Sequence, residues 1–354
     1  MWKKPTLIID TAKVKLHIEN MQSKATASQV IFRPHFKTHQ SAEIGQLFKE
    51  RGIVKITVSS VSMARFFARH GWKDITIAFP VNLAEIDEIE QLASHITLNL
   101  LVESTFSTQY IADHLESNVG IFIKIDTGYH RTGINSANYE KIGAITGIIK
   151  SSKKLSFKGF LAHAGHTYSS RSTDEIIDIC QTSKEHLNAL KNAFIDDFPG
   201  IIISYGDTPS CALIEDFSGI DEIRPGNFVF FDVMQSNLGS CTTRDIAVAV
   251  ACPVVATHAE RNELVIYGGA VHLSKEYILD KDDHRNYGLI VEMDRNGWSD
   301  PIQGAYVASL SQEHGIIHMP NPMFSKYNPG STIGILPVHS CLTANLLKDD
   351  TFFL

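Results

Sequence analysis

Hydrophobic and polar residues follow a repeating order between residue 29 and about residue 232. Short runs rich in β-branched residues are each followed by ten to twenty residues whose apolar positions recur every three or four residues. Eight such runs occur, namely QVIFRPHF, IVKITVS, DITIAF, ITLNLLV, VGIFIKID, FKGFLAH, IIISY and EIRPGNFVFF. Eight successive strand–helix units predict an α/β fold of the (β/α)8 TIM-barrel type.

Three of the intervening segments have clear helical spacing, VSMARFFARHG, NLAEIDEIEQLA and TDEIIDICQTSKEHLNALKNAF. The Asn and Thr that open the last two segments suit helix N-caps. After Asp232 the pattern changes to strand-like runs separated by turn residues, IAVAVACPVVAT, ELVIYGG, YGLIVEM, AYVASLSQEHGII and STIGILPVHS. We therefore predict a barrel over residues 12–232 and a C-terminal β domain over residues 233–354. The first residues, PTLIID, predict an extra strand that fits either domain, and residues 1–11 are assigned to the second.

Composition and charge restrict the class of protein. The chain has 354 residues, of which 44% are hydrophobic and 20% charged, as in an ordinary two-domain globular protein. A formal charge of −7 without a long Lys/Arg cluster argues against a nucleic-acid partner. Apolar runs are too short for a signal peptide or a membrane span. Five scattered cysteines favour a reducing compartment, so we expect a cytoplasmic protein without membrane or nucleic-acid partners.

One lysine stands at the end of the first predicted strand, in VIFRPHFKTHQ. On residue type alone Lys37 is a solvated charge. However, the loops at the C-terminal ends of barrel strands form one mouth, and other polar motifs follow later strands: DTGYHRTG, HAGHTY, YGDTPS and RPGN. Phosphate groups lodge in such barrels after strands seven and eight, where glycines let N–H groups approach an anion. The lysine then contacts a sugar phosphate as a point charge, or forms a Schiff base with pyridoxal phosphate.

These motifs decide between the two interpretations. RPHFKTH, DTGYHRTG, HAGHTY, YGDTPS, EIRPGNFVFFD, SQEHG and PVHSC span residues 33 to 341. Together they resemble the fold-type III pyridoxal-phosphate enzymes, in particular the D-threonine aldolase and D-serine dehydratase family. One departure is Gln40, where the family usually has a basic residue after KTH.

The resemblance implies roles for individual residues. Lys37 forms the Schiff base and then removes the Cα proton of the substrate, which requires a depressed pKa. Arg131 meets the phenolic oxygen of the cofactor, His163 backs its ring and Arg224 neighbours its pyridine nitrogen, while Tyr168 holds cofactor or substrate or simply packs at the rim. The full predicted cofactor-binding set is Lys37, Arg131, His163, Tyr168, Gly206, Asp207, Thr208, Arg224, Gly226 and Asn227.

PVHSC places His339 and Cys341 two residues apart in a predicted strand, so both side chains project from one face. A bare H-x-C sequence is common by chance, but the resemblance implies a divalent metal on this pair. The predicted catalytic set is thus Lys37, His339 and Cys341. An imidazole and a thiolate favour zinc, and manganese is the alternative. Two protein ligands leave positions for water and substrate, as a catalytic metal requires.

We expect a lyase that acts on a D-configured 3-hydroxy amino acid, by dehydration or by retro-aldol cleavage. Two alternatives stay open, an amino-acid racemase on the same scaffold and a non-catalytic carrier of pyridoxal phosphate. The H-x-C pair favours the lyase over the racemase, and the residues after Asp232 have no purpose in a carrier. The motifs leave open dehydratase against aldolase and the side chain of the substrate. The family implies a homodimer.

Overall fold

The computed structural model describes residues 2–280 and 283–354. The chain divides into two compact units. The first, here the barrel unit, consists of Glu19–Lys37 and Ala42–Gly226. The second, here the β unit, consists of the residues up to Ile18, Thr38–Ser41 and Asn227–Leu354.

The chain begins with strand β1 and helix α1, and the barrel strands follow. The bounds are β1 Thr6–Ile9, α1 Thr11–Ala27, β2 Ile31–Phe32, β3 Lys55–Val58, β4 Asp74–Pro80, β5 Thr97–Val102, β6 Val119–Asp126, β7 Ile134–Asn135, β8 Leu155–Ala162, β9 Ile202–Tyr205 and β10 Glu222–Ile223. The parallel order is β2-β10-β9-β8-β6-β5-β4-β3, with the short β7 beside β6. A bridge between His35 and Thr57 joins the two end strands. All eight predicted strands are present, and the predicted TIM barrel is confirmed.

Helices alternate with the barrel strands: α2 Ala42–Glu50, α3 Val61–Arg69, α4 Ile86–Ala93, α5 Thr105–His114, α6 Tyr139–Ser151, α7 Thr173–Phe194 and α8 Thr208–Leu213. Two predicted caps differ in outcome. Asn82 accepts a hydrogen bond from Ala84 N at the start of a 3-10 turn before α4, as an N-cap does. The cap of α7 is Ser172 rather than the expected Thr173, and its hydroxyl accepts from Glu175 N. Ser and Thr hydroxyls both accept from a free N–H at a helix start, so the sequence fits a cap at either residue.

Packing inside the barrel unit is dense where aromatic rings meet. Phe36 is fully buried, and its ring lies 4.9 Å from the rings of Phe48, Phe67 and Trp72. Phe36 directly precedes Lys37, so this cluster anchors the backbone that presents the lysine. No helix in the described part of the chain is both long and apolar enough to cross a membrane.

The β unit contains most of the remaining elements: α9 Val233–Asn237, β11 Val248–His258, β12 Glu263–Tyr267, α10 Ala270–Leu273, β13 Ile278–Leu279, β14 Arg285–Asn286, β15 Gly288–Val291, β16 Tyr306–Leu310, β17 His314–His318, β18 Thr332–Pro337, α11 Ser340–Leu346 and β19 Thr351–Phe353. The antiparallel order β12-β17-β16-β15-β18-β11 closes through a β11–β12 pairing, so these strands form a second barrel. Strand β1 pairs with β11 and β19, which places the predicted PTLIID strand in this unit.

Candidate active site

Lys37 lies on the loop after β2 and is exposed. Its backbone N–H donates to His35 Nδ1 at 3.3 Å, and Ser41 N–H similarly donates to His39 Nδ1 at 3.1 Å. Each flanking histidine therefore uses one ring nitrogen to accept a hydrogen bond from the local backbone. This arrangement supports the loop and leaves the Lys37 amine on the accessible side of the strand end.

His163 follows β8 and is half-buried. Its Nδ1 donates to the carbonyl oxygen of Gly206 at 2.7 Å, so the lone pair of the neutral ring is on Nε2. Burial lowers the pKa of His163 well below its ordinary value, and the cations Lys37, Lys124 and Arg131 lower it further. The ring is thus neutral at physiological pH, as a flat apolar backing for a cofactor ring requires.

Arg224 lies just after β10 and is buried. Nη1 donates to Ser204 Oγ at 2.6 Å and Nη2 donates to the Ala162 carbonyl at 2.7 Å. Burial lowers the pKa of this guanidinium to about 10, so it keeps its charge at neutral pH. Its Nε is buried and has no hydrogen-bond partner among the described residues. A buried donor of this kind requires an acceptor, and the nitrogen of a pyridine ring fits that requirement.

The predicted phosphate loops come close together in the barrel unit. A Cβ on Gly206 would lie within 3.0 Å of the Arg224 backbone, so only glycine permits this approach. Thr208 N–H donates to the Tyr168 hydroxyl at 3.3 Å. Gly226 is buried in the loop that follows Arg224.

Asp207, also in the predicted phosphate set, has a structural position. Its carboxylate caps α8 by accepting from Ser210 N at 2.7 Å, and it accepts from Thr167 Oγ1 at 3.1 Å. Burial raises the pKa of this carboxyl above its ordinary value. Asp207 thus shapes the loop, and any contact with a phosphate falls to the backbone N–H groups beside it.

Arg131 is exposed, and its guanidinium lies over the Tyr129 ring, 4.8 Å from the centroid. The turn that carries it is held by Asp126, which accepts from Gly128 N and His130 N, both at 3.0 Å. The stacked arginine is positioned by an aromatic face rather than by an acidic partner.

Lys124 on β6 is a buried cation that the sequence analysis missed. Its Nζ donates to the Ile125 carbonyl at 3.1 Å. Burial, followed by repulsion from Arg224 and Arg131, lowers the pKa of Lys124 to about 7. The signal in the sequence is a lone lysine inside an apolar run, VGIFIKID, whose residues are buried up to the terminal Asp126.

The candidate metal pair lies in the β unit, and the expected strand geometry is wrong. Strand β18 ends at Pro337, His339 precedes α11, and Cys341 lies in its first turn. The two side chains nevertheless meet, because a hydrogen bond joins the His339 ring to Cys341. Burial lowers the pKa of His339, but Cys341 and Asp232 outweigh this and raise it to about 9. The two side chains thus meet at the start of a helix and not, as predicted, on one face of a strand.

Two polar side chains approach the sulfur of Cys341 within this unit. Thr38 Oγ1 lies 3.2 Å from Cys341 Sγ, and Asn227 Nδ2 lies 3.5 Å from the same sulfur. Asn227 Nδ2 also donates to Asp232 Oδ2 at 2.7 Å, and Ser340 N donates to that oxygen at 2.9 Å. Asn227, predicted with the phosphate loops, is therefore seen beside the thiol instead, and its cofactor role stays a prediction.

Among the described residues, no three His, Cys, Asp or Glu side chains form a group able to hold a metal ion. His339 and Cys341 stay the predicted donors for an ion. Imidazole nitrogen with sulfur suits zinc better than the hard cations magnesium and calcium. Two ligands from the chain also suit a metal that binds a substrate oxygen.

Comparison with known proteins places the chain. A family model described as "Alanine racemase, N-terminal domain" matches residues 9–233, and one described as "Putative serine dehydratase domain" matches residues 247–351. A D-serine dehydratase of Dictyostelium discoideum is 30% identical over 379 residues, which cover 98% of this chain and 92% of that protein. The chain belongs to the fold-type III family of pyridoxal-phosphate enzymes.

A second relative of this family has a solved structure. The D-threo-3-hydroxyaspartate dehydratase of Delftia sp. HT23 is 26% identical over 354 residues, which cover 96% of this chain and 91% of that protein. Its structure matches with a TM-score of 0.89 over 98% of this chain and 93% of that chain. These matches confirm the predicted family, and both relatives are named as dehydratases, which are lyases.

Proposed function

We propose that this protein is a pyridoxal-phosphate- and zinc-dependent lyase that removes water from a D-configured 3-hydroxy amino acid, with D-serine as the first substrate to test. The observation that carries the proposal is the contact between His339 and Cys341, since a racemase on this scaffold does not need such a pair. The D-serine dehydratase name of the 30% identical relative supports the choice of substrate. Retro-aldol cleavage is the competing outcome.

Each cofactor supplies one kind of chemistry. Pyridoxal phosphate, when bound, supplies an aldehyde that takes up an amine and a ring that draws electrons from Cα. Zinc, when bound, supplies a Lewis acid that makes the 3-hydroxyl a better leaving group. The residues of the chain bind and orient the cofactors and the substrate, and they transfer protons.

Lys37 is the amine in this proposal, and it takes the Cα proton of the substrate. Its accessible position after β2 supports its role as the amine. Arg224 would hold the ring nitrogen through its Nε–H, and a cation at that position would disfavour protonation of the nitrogen and so weaken the ring as an electron acceptor. The departure of the 3-hydroxyl would then need more assistance, and His339 and Cys341 would hold the metal that supplies it.

Two further properties belong to the proposal. Five free cysteines in the described residues suit the reducing cytoplasm. We also propose a homodimer, supported by four exposed large apolar side chains on and near α10 and α11: Tyr267, Val271, Leu342 and Leu346. Light scattering of the purified protein distinguishes a dimer from a monomer.

The test is proton NMR of the purified protein with pyridoxal phosphate and zinc, incubated separately with D-serine, D-threonine and L-threonine. We expect pyruvate and ammonium from D-serine and 2-oxobutanoate and ammonium from D-threonine, with the L-isomer unchanged. Glycine and acetaldehyde from D-threonine indicate an aldolase instead. Both enantiomers with solvent deuterium at Cα indicate a racemase, and no turnover of any D-amino acid favours a carrier.

Matched variants distinguish the residue that binds pyridoxal phosphate from the residues that bind zinc. Lys37→Ala is expected to abolish the visible absorbance of the bound cofactor. Cys341→Ala is expected to keep that absorbance but lose turnover and zinc, whereas Cys241→Ala, a change at another partly exposed cysteine of the β unit, is expected to keep both. Full activity of Cys341→Ala in the presence of a chelator would exclude the metal role.

A further inference from the structure

A chain of polar side chains runs through the interior of the barrel unit. Ser204 on β9 and Glu222 on β10 are directly opposed partners in adjacent parallel strands, and both are fully buried. The Ser204 hydroxyl lies 2.6 Å from Glu222 Oε1, and Arg224 Nη1 lies 2.6 Å from Ser204 Oγ. One hydroxyl therefore links a carboxylate to the guanidinium that the proposed function assigns to the cofactor.

The direction of these bonds follows from the groups themselves. A guanidinium only donates, and a carboxylate only accepts, so Ser204 accepts from Arg224 and donates its one proton to Glu222. Both bonds involve a charged group and are stronger than bonds between neutral groups. Because the guanidinium is planar, holding Nη1 on Ser204 and Nη2 on the Ala162 carbonyl fixes where Nε points.

The other oxygen of Glu222 is held as well. Arg33 Nε donates to Glu222 Oε2 at 2.6 Å, and Arg33 Nη1 donates to Asp74 Oδ1 at 2.6 Å. Burial opposes the charge on Arg33, but Glu222 and Asp74 outweigh it and raise the Arg33 pKa. Asp74 is thus a second acidic partner of Arg33, on the side away from Glu222, which makes it a matched control.

We infer that Glu222, acting through Ser204, is the positioning residue that aims Arg224 Nε at the ring nitrogen of the cofactor. This inference rests on the proposed function, because it assumes that the barrel unit binds pyridoxal phosphate. Ser204 and Glu222 act on the cofactor through Arg224, and Glu222 also holds Arg33, which is why Asp74→Asn serves as the control. Their removal therefore changes how the cofactor is held, while Lys37 and the metal pair stay intact.

The experiment compares the full-length variants Ser204→Ala, Glu222→Gln and Asp74→Asn with the wild type. Ser204→Ala keeps every charge and cuts the link, and Asp74→Asn removes an acid from Arg33 without cutting it. Absorbance titration gives the Kd of pyridoxal phosphate, and a pH titration of the bound cofactor reports on its ring nitrogen. Thermal unfolding of the cofactor-free proteins shows that each variant is folded.

We expect the Kd to rise roughly tenfold in Ser204→Ala, which loses the hydrogen bond to the charged Arg224, and in Glu222→Gln, which replaces the charged acceptor of the Ser204 proton with a neutral amide. The cofactor titration moves to higher pH in both, because a ring nitrogen released from a cation takes up a proton more readily. Asp74→Asn stays within about twofold of the wild type. A wild-type Kd and titration in Ser204→Ala, or equal effects in Asp74→Asn and Glu222→Gln, would overturn the inference alone. A wild type that binds no pyridoxal phosphate refutes the proposed function, and this inference with it.

Discussion

Lys124→Met replaces the buried amine on β6 with an apolar side chain of similar length. In the folded protein, burial and the neighbouring cations Arg224 and Arg131 lower the Lys124 pKa from 10.5 to about 7. The unfolded chain regains the ordinary value. Between these two pKa values the unfolded chain holds more protons than the folded protein, so the free energy of unfolding of the wild type rises with pH. The variant lacks this dependence.

The size of the effect follows from proton linkage. One proton contributes about 1.4 kcal/mol per pH unit, and less near pH 7, where the folded lysine is half-protonated. Integrating this slope from pH 7 to pH 9 shows that the free-energy penalty of burying the Lys124 amine falls by about 2 kcal/mol over that range. The difference in free energy of unfolding, variant minus wild type, is therefore about 2 kcal/mol larger at pH 7 than at pH 9.

Urea unfolding of the cofactor-free proteins at the two pH values, followed by circular dichroism, measures this difference. Lys158→Met, at a half-buried lysine on the adjacent strand β8, controls for the loss of one positive charge. Titration of all other groups is common to the compared proteins and cancels. A difference that is equal at both pH values, or larger at pH 9, would show that the barrel interior does not suppress the charge of Lys124.

Three further predictions test the packing and the metal pair. Phe36→Ala removes the centre of an aromatic cluster, so we expect a loss of about 3–5 kcal/mol in urea unfolding, against a small effect for Phe36→Leu. Gly159 has φ +138°, and a Cβ there would lie 1.9 Å from the Ile202 carbonyl, so Gly159→Ala should cost more than about 1–3 kcal/mol; a wild-type midpoint would contradict this. The Asp232 carboxylate accepts from Ser340 N, next to Cys341, and Asp232→Asn replaces this acceptor with an amide that also donates. We therefore expect the zinc Kd, measured by chelator competition, to rise at least about tenfold while the cofactor absorbance is unchanged.

The sequence was informative where a residue's place along a strand decides its position. Parallel barrel strands deliver their C-terminal ends to one mouth, so the order of apolar runs predicts that Lys37, His163 and Arg224 lie at or just after strand ends, whereas the roles assigned to them come from the family resemblance. The same reasoning failed for His339 and Cys341, because the apolar run before them, STIGILPV, does not show where its strand stops. Both a strand and a helix start satisfy the two-residue spacing of that pair, so the contact between them was predictable although its geometry was not.

The hydrogen-bond partners inside the barrel unit could not be predicted from the sequence, for a different reason. Ser204 and Glu222 are opposed only because β9 and β10 pair in one particular register, and a shift of one strand by one residue would turn its side chain to the other face, away from its present partner. That register is set by closure of the whole sheet rather than by either short strand. Once it is fixed, Arg33, Glu222 and Arg224 must satisfy one another, since buried charges without partners are costly. The polar interior is thus a consequence of the closed barrel, and a cofactor that accepts the Arg224 Nε–H would satisfy a donor that the described residues leave unpaired.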